Sequence, residues 1–380
     1  MRASFTRQNE FAKMGSLPND ASWRSCWPLT SATPPPDPMK KLLRSLSVLS
    51  LALFVSNAAW AEDASKPNQS QKVRLLIFGN SFSNNSTTHL LELAKEGKKD
   101  LVFLNLIKGG CSLQEDAEAV KAAQTAPDSP QARFFSQGGN APRVAPEGKK
   151  VNALEAIQAG PWDYVSIQQY SLLSFKPETY EPYAKELVDF IRARAPQAKL
   201  IVHETWAYRE DDPLFKDGKF TQDKMYEGLK ANYTKLAADY HATILPIGDA
   251  FQAARKTPEW TYVKDAAFDF KNPKPGALPQ QSGSLNVGWL WKKPTTNTAT
   301  PENSPATDPN AAKDATAKLT LDAHHANVAG TYLGSCVWYE FLFHDDVTAL
   351  TKYLPKGLSA EQAASLRKIA HETVAKEVKR

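Results

Sequence analysis

The sequence predicts an α/β protein with a mostly parallel five-stranded sheet, and two observations carry that reading. Five short apolar runs rich in Val, Ile, Leu and Phe recur along the chain, with segments of helical spacing between them. Strands joined through helices need crossover connections. Such crossovers are right-handed and lay the strands side by side in parallel.

The first run, Val73 to Phe78 (VRLLIF), ends at Gly79 and reads as a buried strand. Thr87 to Lys95 has helical spacing, and Leu101 to Ile107 (LVFLNLI) is a second strand that ends just before Gly109 and Gly110. The polar stretch from Thr125 to Lys150 reads as a long loop or excursion. Asn152 to Ala159 looks helical, and Trp162 to Ile167 (WDYVSI) is the third strand. Pro177 to Arg194 forms an amphipathic helix with Pro196 just past its end. Lys199 to His203, Gln222 to Tyr240 and Thr243 to Ile247 follow as strand, helix and strand.

Between Thr257 and Lys318 the pattern breaks down into Pro-rich and low-complexity polar sequence, expected to be a flexible insertion. Helical order is expected to resume at His324 and run to about Phe343. A last helix, Ser359 to Val378, opens with a capping-box pattern at Ser359 and Gln362. The main domain is thus expected at 73–347, with the insertion at about 257–318 and a helical extension at 348–380.

Composition narrows the classes. A chain of 380 residues that is 42% hydrophobic with 3 Cys is not collagen-like, wholly disordered, disulfide-stapled or multi-spanning. Met39 to Ala61 carries a basic start, the apolar stretch Leu46 to Val55 and a small-x-small site at Ala59-Trp60-Ala61. That order is the pattern of a cleavable export signal, with cleavage near Ala61 and a linker at 62–72. Residues 1–38 then read as a mis-called extension ahead of Met39 or as a disordered leader. Residues 1–61 hold seven basic and three acidic residues, so four of the five net positive charges leave with them and +1 remains. No basic excess is left to favour nucleic acid, and no stable membrane anchor is expected. Cys111 and Cys336 are either a pair or two buried thiols.

Active groups in a parallel sheet gather at the carboxyl ends of the strands. Gly79-Asn80-Ser81-Phe82-Ser83 stands at the first such end. A Ser there has its own N–H and a helix amino end at hand to stabilise negative charge, although a Ser that merely caps a helix has the same look. Asp322 and His325 lie three apart ahead of the late helix, where a carboxylate can orient an imidazole for proton transfer. The bland alternative is a helix cap beside two surface histidines. No further ligand motif supports His324 with His325 as a metal site.

Together a Ser after strand one, a Gly pair after strand two and Asp-x-x-His near the end resemble the SGNH (GDSL-type) hydrolase superfamily. The closest resemblance is to a bacterial subgroup whose first block reads GNSF. The matching blocks are IFGNSFS, IKGGCSLQ, WDYVSIQQYS, HETWAY and LDAHHANVAGTYL, and the resemblance spans about Val73 to Phe343. It implies a flavodoxin-like three-layer α/β/α sandwich. It further implies Ser81 as nucleophile, His325 as general base and then acid, and Asp322 as its orienting carboxylate.

For the oxyanion hole it implies the N–H of Ser81 and of Gly110, with Gly109 the near alternative. The family's third donor is an Asn in a Gly-x-Asn block, which this sequence lacks. Gln168, or else Gln169, is expected to substitute, and activity should be slow or absent if neither reaches the site. Asn80 is expected to organise the turn. His203 and Glu204 are candidates for the pocket wall, and Trp206 for packing or substrate contact. His89, His241, His344 and His371 read as surface or capping residues. Trp260, Trp289 and Trp291 either anchor the insertion or stack on sugar rings.

The expected activity is that of an exported serine ester hydrolase that removes short acyl groups, most plausibly acetyl, from a glycan or similar polar substrate. It needs no metal and no organic cofactor. The alternatives are a lipase, thioesterase or acyltransferase on the same triad, or a non-catalytic glycan-binding protein of the same fold.

Overall fold

The computed structural model describes residues 72–293, 314 and 316–377. The leader, the signal segment, almost all of the linker and most of the low-complexity tract lie outside the described residues.

The chain opens with β1 (Lys72–Gly79), α1 (Ser81–Ser86), α2 (Leu90–Glu96) and β2 (Asp100–Ile107). Next come α3 (Leu113–Thr125), β3 (Ser136–Gly139), α4 (Ala153–Gln158), β4 (Tyr164–Ile167), α5 (Tyr183–Arg194) and β5 (Lys199–His203). It continues through α6 (Gln222–Asp239), β6 (Thr243–Leu245), α7 (Ile247–Arg255), β7 (Asn286–Lys292) and β8 (Lys318–Ala326). Two helices end it, α8 (Val328–Phe343) and α9 (Ala360–Glu377).

The main sheet has six strands in the order β3-β2-β1-β4-β5-β6, parallel except for β3. Leu75 to Phe78 of β1 are wholly buried because both faces of the sheet are covered, which is why that strand is continuously apolar. On one side α3 packs on α4 and α5; on the other α8 lies against α1, α2, α7 and α9. Such a three-layer sandwich is the flavodoxin-like arrangement. Every residue of α8 from Ala329 to Phe343 is buried, and this mainly apolar helix forms the heart of its layer. None of the described helices is long and apolar enough to cross a membrane.

Three expectations change. The sheet has six strands because β3 arises in the polar stretch after α3. Its Ser-Gln-Gly-Gly pairs antiparallel with Leu104 to Ile107 at the sheet edge, where no apolar run is required. The order expected from His324 is a strand instead: β8 runs through Ala326, and Asn327 caps α8 by accepting the N–H groups of Ala329 and Gly330. Its partner β7 lies inside the region expected to be a flexible insertion, so residues 257–293 are built into the fold. Trp260, Trp289 and Trp291 anchor that region by donating to Ser365 Oγ, Asp211 Oδ2 and the Ala277 carbonyl. Cys111 and Cys336 are two buried free thiols.

Local chemistry sets the helix starts. Ser112 with Glu115 and Asn152 with Glu155 form capping boxes on α3 and α4, and Ser359 with Gln362 does the same before α9. Gly334 lets α8 touch α1 closely: a Cβ there would stand 2.9 Å from the Ser86 Cβ and 3.0 Å from its Cα. Gly334→Val is therefore expected to destabilise the fold by about 1–3 kcal/mol. Urea unfolding of the variant checks this, and an unchanged midpoint would contradict the close approach.

Candidate active site

The chain leaves β1 toward β2 on one side and reaches β4 on the other, so a crevice opens at the carboxyl end of β1. Asn80 ends that strand and caps α1, its Oδ1 accepting the Phe82 N–H at 2.9 Å. Ser81 is thereby the first residue of the helix, where its N–H has no acceptor within the helix.

The Ser81 Oγ lies 2.9 Å from His325 Nε2, although the two residues are 244 positions apart. His325 Nδ1 is 3.0 Å from Asp322 Oδ2 and 3.1 Å from Oδ1. In a regular strand, residues three apart face opposite ways. Here Asp322 pairs with Gly288 and Ala326 with Asn286, so four steps along β8 match two along β7. That irregularity turns Asp322 back toward His325. The N–H groups of His324 and His325 also donate to Asp322 Oδ1. Burial pushes the Asp322 carboxyl up, but the His325 side chain and these two N–H groups outweigh it and hold the group well below the usual carboxylate range. It is therefore a carboxylate aimed at an imidazole aimed at a hydroxyl.

Two further contacts hold His325 over Ser81, and the one from Asn85 was not anticipated from the sequence. Asn85, one turn on in α1, accepts the N–H of Ala326 at 3.0 Å. Trp206 donates from Nε1 to the His324 carbonyl and stacks between Phe82 and Phe251, at 4.1 and 4.5 Å between ring centres. Trp206 is fully buried, so its role is packing.

The cavity at Ser81 has a volume of about 220 Å³ and is lined by Gly109, Gly110, Tyr170, Ser171, Tyr208 and His324 besides Phe82 and the Ser–His pair. Gly110 has φ +65, a left-handed conformation that favours glycine. Gln168 does not line this cavity: it is buried behind it and donates from Nε2 to Asn80 Oδ1 at 2.7 Å. Gln169 is absent from the wall too, since its Oε1 accepts the N–H groups of Leu113 and Tyr170 and its Nε2 donates to Thr179. The expectation of a Gln amide in the oxyanion hole is thus not met. In the wall stand instead the hydroxyls of Ser171 and Tyr208, 2.8 Å apart. His324 stacks on Tyr208 at 3.8 Å, and its Nε2 lies 2.7 Å from the buried Asp212.

His203 and Glu204 are fully buried away from the cavity. Burial lowers His203 to about 3, so it is neutral, edge-on to Trp338. Burial, and then Asp249, raises Glu204. His89 is no surface residue: it is buried, with Nδ1 2.7 Å from the Tyr353 hydroxyl and Nε2 3.1 Å from Thr331. His371 bonds Glu340, while His241 and His344 sit at helix ends.

Residues 74–269 match the family model described as Domain of unknown function (DUF4886). The chain belongs to this family. The match ends before β8, so Asp322 and His325 lie beyond it. A crystal structure of a DUF4886 protein from Bacteroides uniformis ATCC 8492 is 23% identical to this DUF4886 chain. It covers 80% of this chain and 95% of its own, with a TM-score of 0.57. Likeness at that identity speaks to the fold alone. A proposed SGNH hydrolase from Slackia heliotrinireducens is 18% identical over 48% of this chain and 83% of its own, with a TM-score of 0.35. A proposed GDSL-like lipase from Parabacteroides merdae ATCC 43184 is 15% identical over 51% and 87%, with a TM-score of 0.33. No curated protein matches the sequence.

The Asp322 carboxyl titrates below its unfolded value of about 3.9, so its contribution to stability is complete above that pH and is lost as pH falls through the folded value. Asp322→Asn lacks that contribution. The stability difference between wild type and Asp322→Asn is therefore expected to shrink as pH drops below about 4, as followed by urea unfolding across an acid series. A difference that stays constant would show that the carboxylate is not stabilised by these partners.

Proposed function

We propose that this DUF4886 chain is an exported serine ester hydrolase that removes short acyl groups, acetyl above all, from a glycan or other polar substrate. The observation that carries the reading is the unbroken relay from Ser81 Oγ through His325 to Asp322. Ser81 Oγ attacks the ester carbonyl while His325 Nε2 takes its proton, and the buried carboxylate stabilises the imidazolium. The tetrahedral oxyanion rests on the N–H groups of Ser81 and Gly110. His325 returns the proton to the leaving alcohol, and the acyl group stays on Ser81. Water then attacks the acyl-enzyme, giving its proton to His325, and collapse frees the acid and restores Ser81.

The cavity of about 220 Å³ falls below the 300–1,000 Å³ usual for larger ligands. That size favours a short acyl group over a fatty chain. The signal-like segment ending near Ala61 supports export, and an extracytoplasmic address makes a glycan ester the natural substrate class. With no Gln amide in the oxyanion hole, turnover of activated esters is expected to be slow.

Aryl acetates should be hydrolysed faster than aryl octanoates, and Ser81→Ala should lower kcat on the order of 10³-fold or more and abolish labelling by a fluorophosphonate. Hydrolysis that survives Ser81→Ala would remove Ser81 from the mechanism. Wild type that neither turns over esters of any chain length nor takes the label would leave a binding protein. Asn85→Ala frees the backbone beyond His325, and kcat is expected to fall by about 10- to 100-fold with KM little changed. A fall in stability without that split between kcat and KM would make Asn85 a purely structural residue.

A further inference from the structure

A second, larger cavity of about 520 Å³ lies between α7, the loop after β5 and the start of β7. Tyr208 lines the catalytic cavity and its neighbour Arg209 lines this one, so the same loop separates the two. Two of its lining side chains each leave one buried polar atom without a partner. Gln252 is 5% exposed and donates from Nε2 to Asp223, yet its Oε1 has no partner. Arg255 donates from Nη2 to the Ala207 carbonyl and Asn286 Oδ1, while its Nη1 is buried and unpartnered. The two residues are three apart on α7 and so share one face of the helix. Buried polar atoms left in this way cost free energy unless something satisfies them.

The charges of the wall nearly balance. Arg209 is neutralised by a two-pronged pair with Asp211, and Arg255 and Lys256 face Glu210 and Asp223. A free anion thus has no net attraction here. What fits is a neutral ligand that offers Arg255 Nη1 an acceptor and Gln252 Oε1 a donor, and the hydroxyls of one molecule supply both. Trp260 and Tyr262 supply flat walls; Trp260 is held by its bond to Ser365, and the Tyr262 ring is braced by Arg209 at 3.9 Å.

We infer that this cavity is a second ligand site that binds a neutral sugar unit through the paired Arg255 and Gln252. The site is built into the support of the catalytic strand. Asn286, which lines it and accepts from Arg255, donates from Nδ2 to the His324 carbonyl, and the Arg209 N–H donates to the Ala323 carbonyl. The inference does not rest on the esterase reading, because binding is measured without turnover.

The test is calorimetric titration of the full chain carrying Ser81→Ala with xylose, galactose, N-acetylglucosamine and their short oligomers, with inorganic phosphate alongside. The same sugars are soaked into crystals. Saturable binding of at least one sugar is expected, with density against Arg255 and Gln252. Affinity should drop by about tenfold or more in Arg255→Gln and Gln252→Leu, while circular dichroism and thermal unfolding report that each variant is folded. Should a variant fail to fold, the crystal soak decides alone. Ordered water in place of sugar, no saturable binding across the panel, or displacement of the sugar by phosphate would each overturn the inference.

Discussion

The Asn80 side chain is the fastening on which the crevice depends. It is buried, and its amide reaches three strand ends at once. Oδ1 takes the N–H of Phe82 after β1 and the Nε2 of Gln168 after β4, while Nδ2 donates to the Cys111 carbonyl after β2. Only at the point where the chain reverses its direction across the sheet do these three ends converge. A carboxylate at this position would accept from Phe82 and Gln168 but could not donate to Cys111. The amide, with one acceptor and one donor end, fits all three. Gln168, which the missing third-block Asn seemed to require as an oxyanion donor, belongs to this fastening.

The other half of the site comes from the β7–β8 ribbon, outside the main sheet. Its irregular pairing brings Asp322 and His325 together, and Asn85 and Trp206 tie its backbone to α1 and to the loop after β5. Ser81, His325 and Asp322 are thus held between a parallel sheet and a two-stranded arm. The arm also serves two cavities, since His324 lines one while its carbonyl takes the Nδ2 of Asn286 from the other.

The main strands were legible because each, β1 to β6 apart from β3, is apolar on both faces and bounded by polar or Gly residues. Strand β5 coincides with the expected Lys199 to His203. What escaped had no local signal. Strand β3 is Ser-Gln-Gly-Gly and exists through its partner Ile107. Half of the buried residues of α3 are alanine and one is Asp116, too little contrast for its period to show. Strand β8 owes its extended form to β7, with a polar tract between them in sequence, so a window read along the chain saw only the helix that follows. Ser81, Asp322 and His325 were recognisable because their spacing carries chemistry. Tyr208, Asp212 and Asn85 were not, because only folding brings them to the site. His89 stands at the N-cap position of α2, one of its two expected places, but its burial was hidden for the same reason: Tyr353 and Thr331, its partners, come from the far end of the chain.

The separation of 244 positions between Ser81 and His325 also sets an order of events. At ordinary synthesis rates His325 leaves the ribosome roughly 10–50 s after Ser81. Strands β1, β2, β4 and β5 can pair in that interval, and the crevice with Ser81 can take shape. His325 arrives last, on an arm whose pairing needs β7 already in place. A chain cut short before residue 325 therefore carries the Ser81 hydroxyl without the imidazole that bonds it.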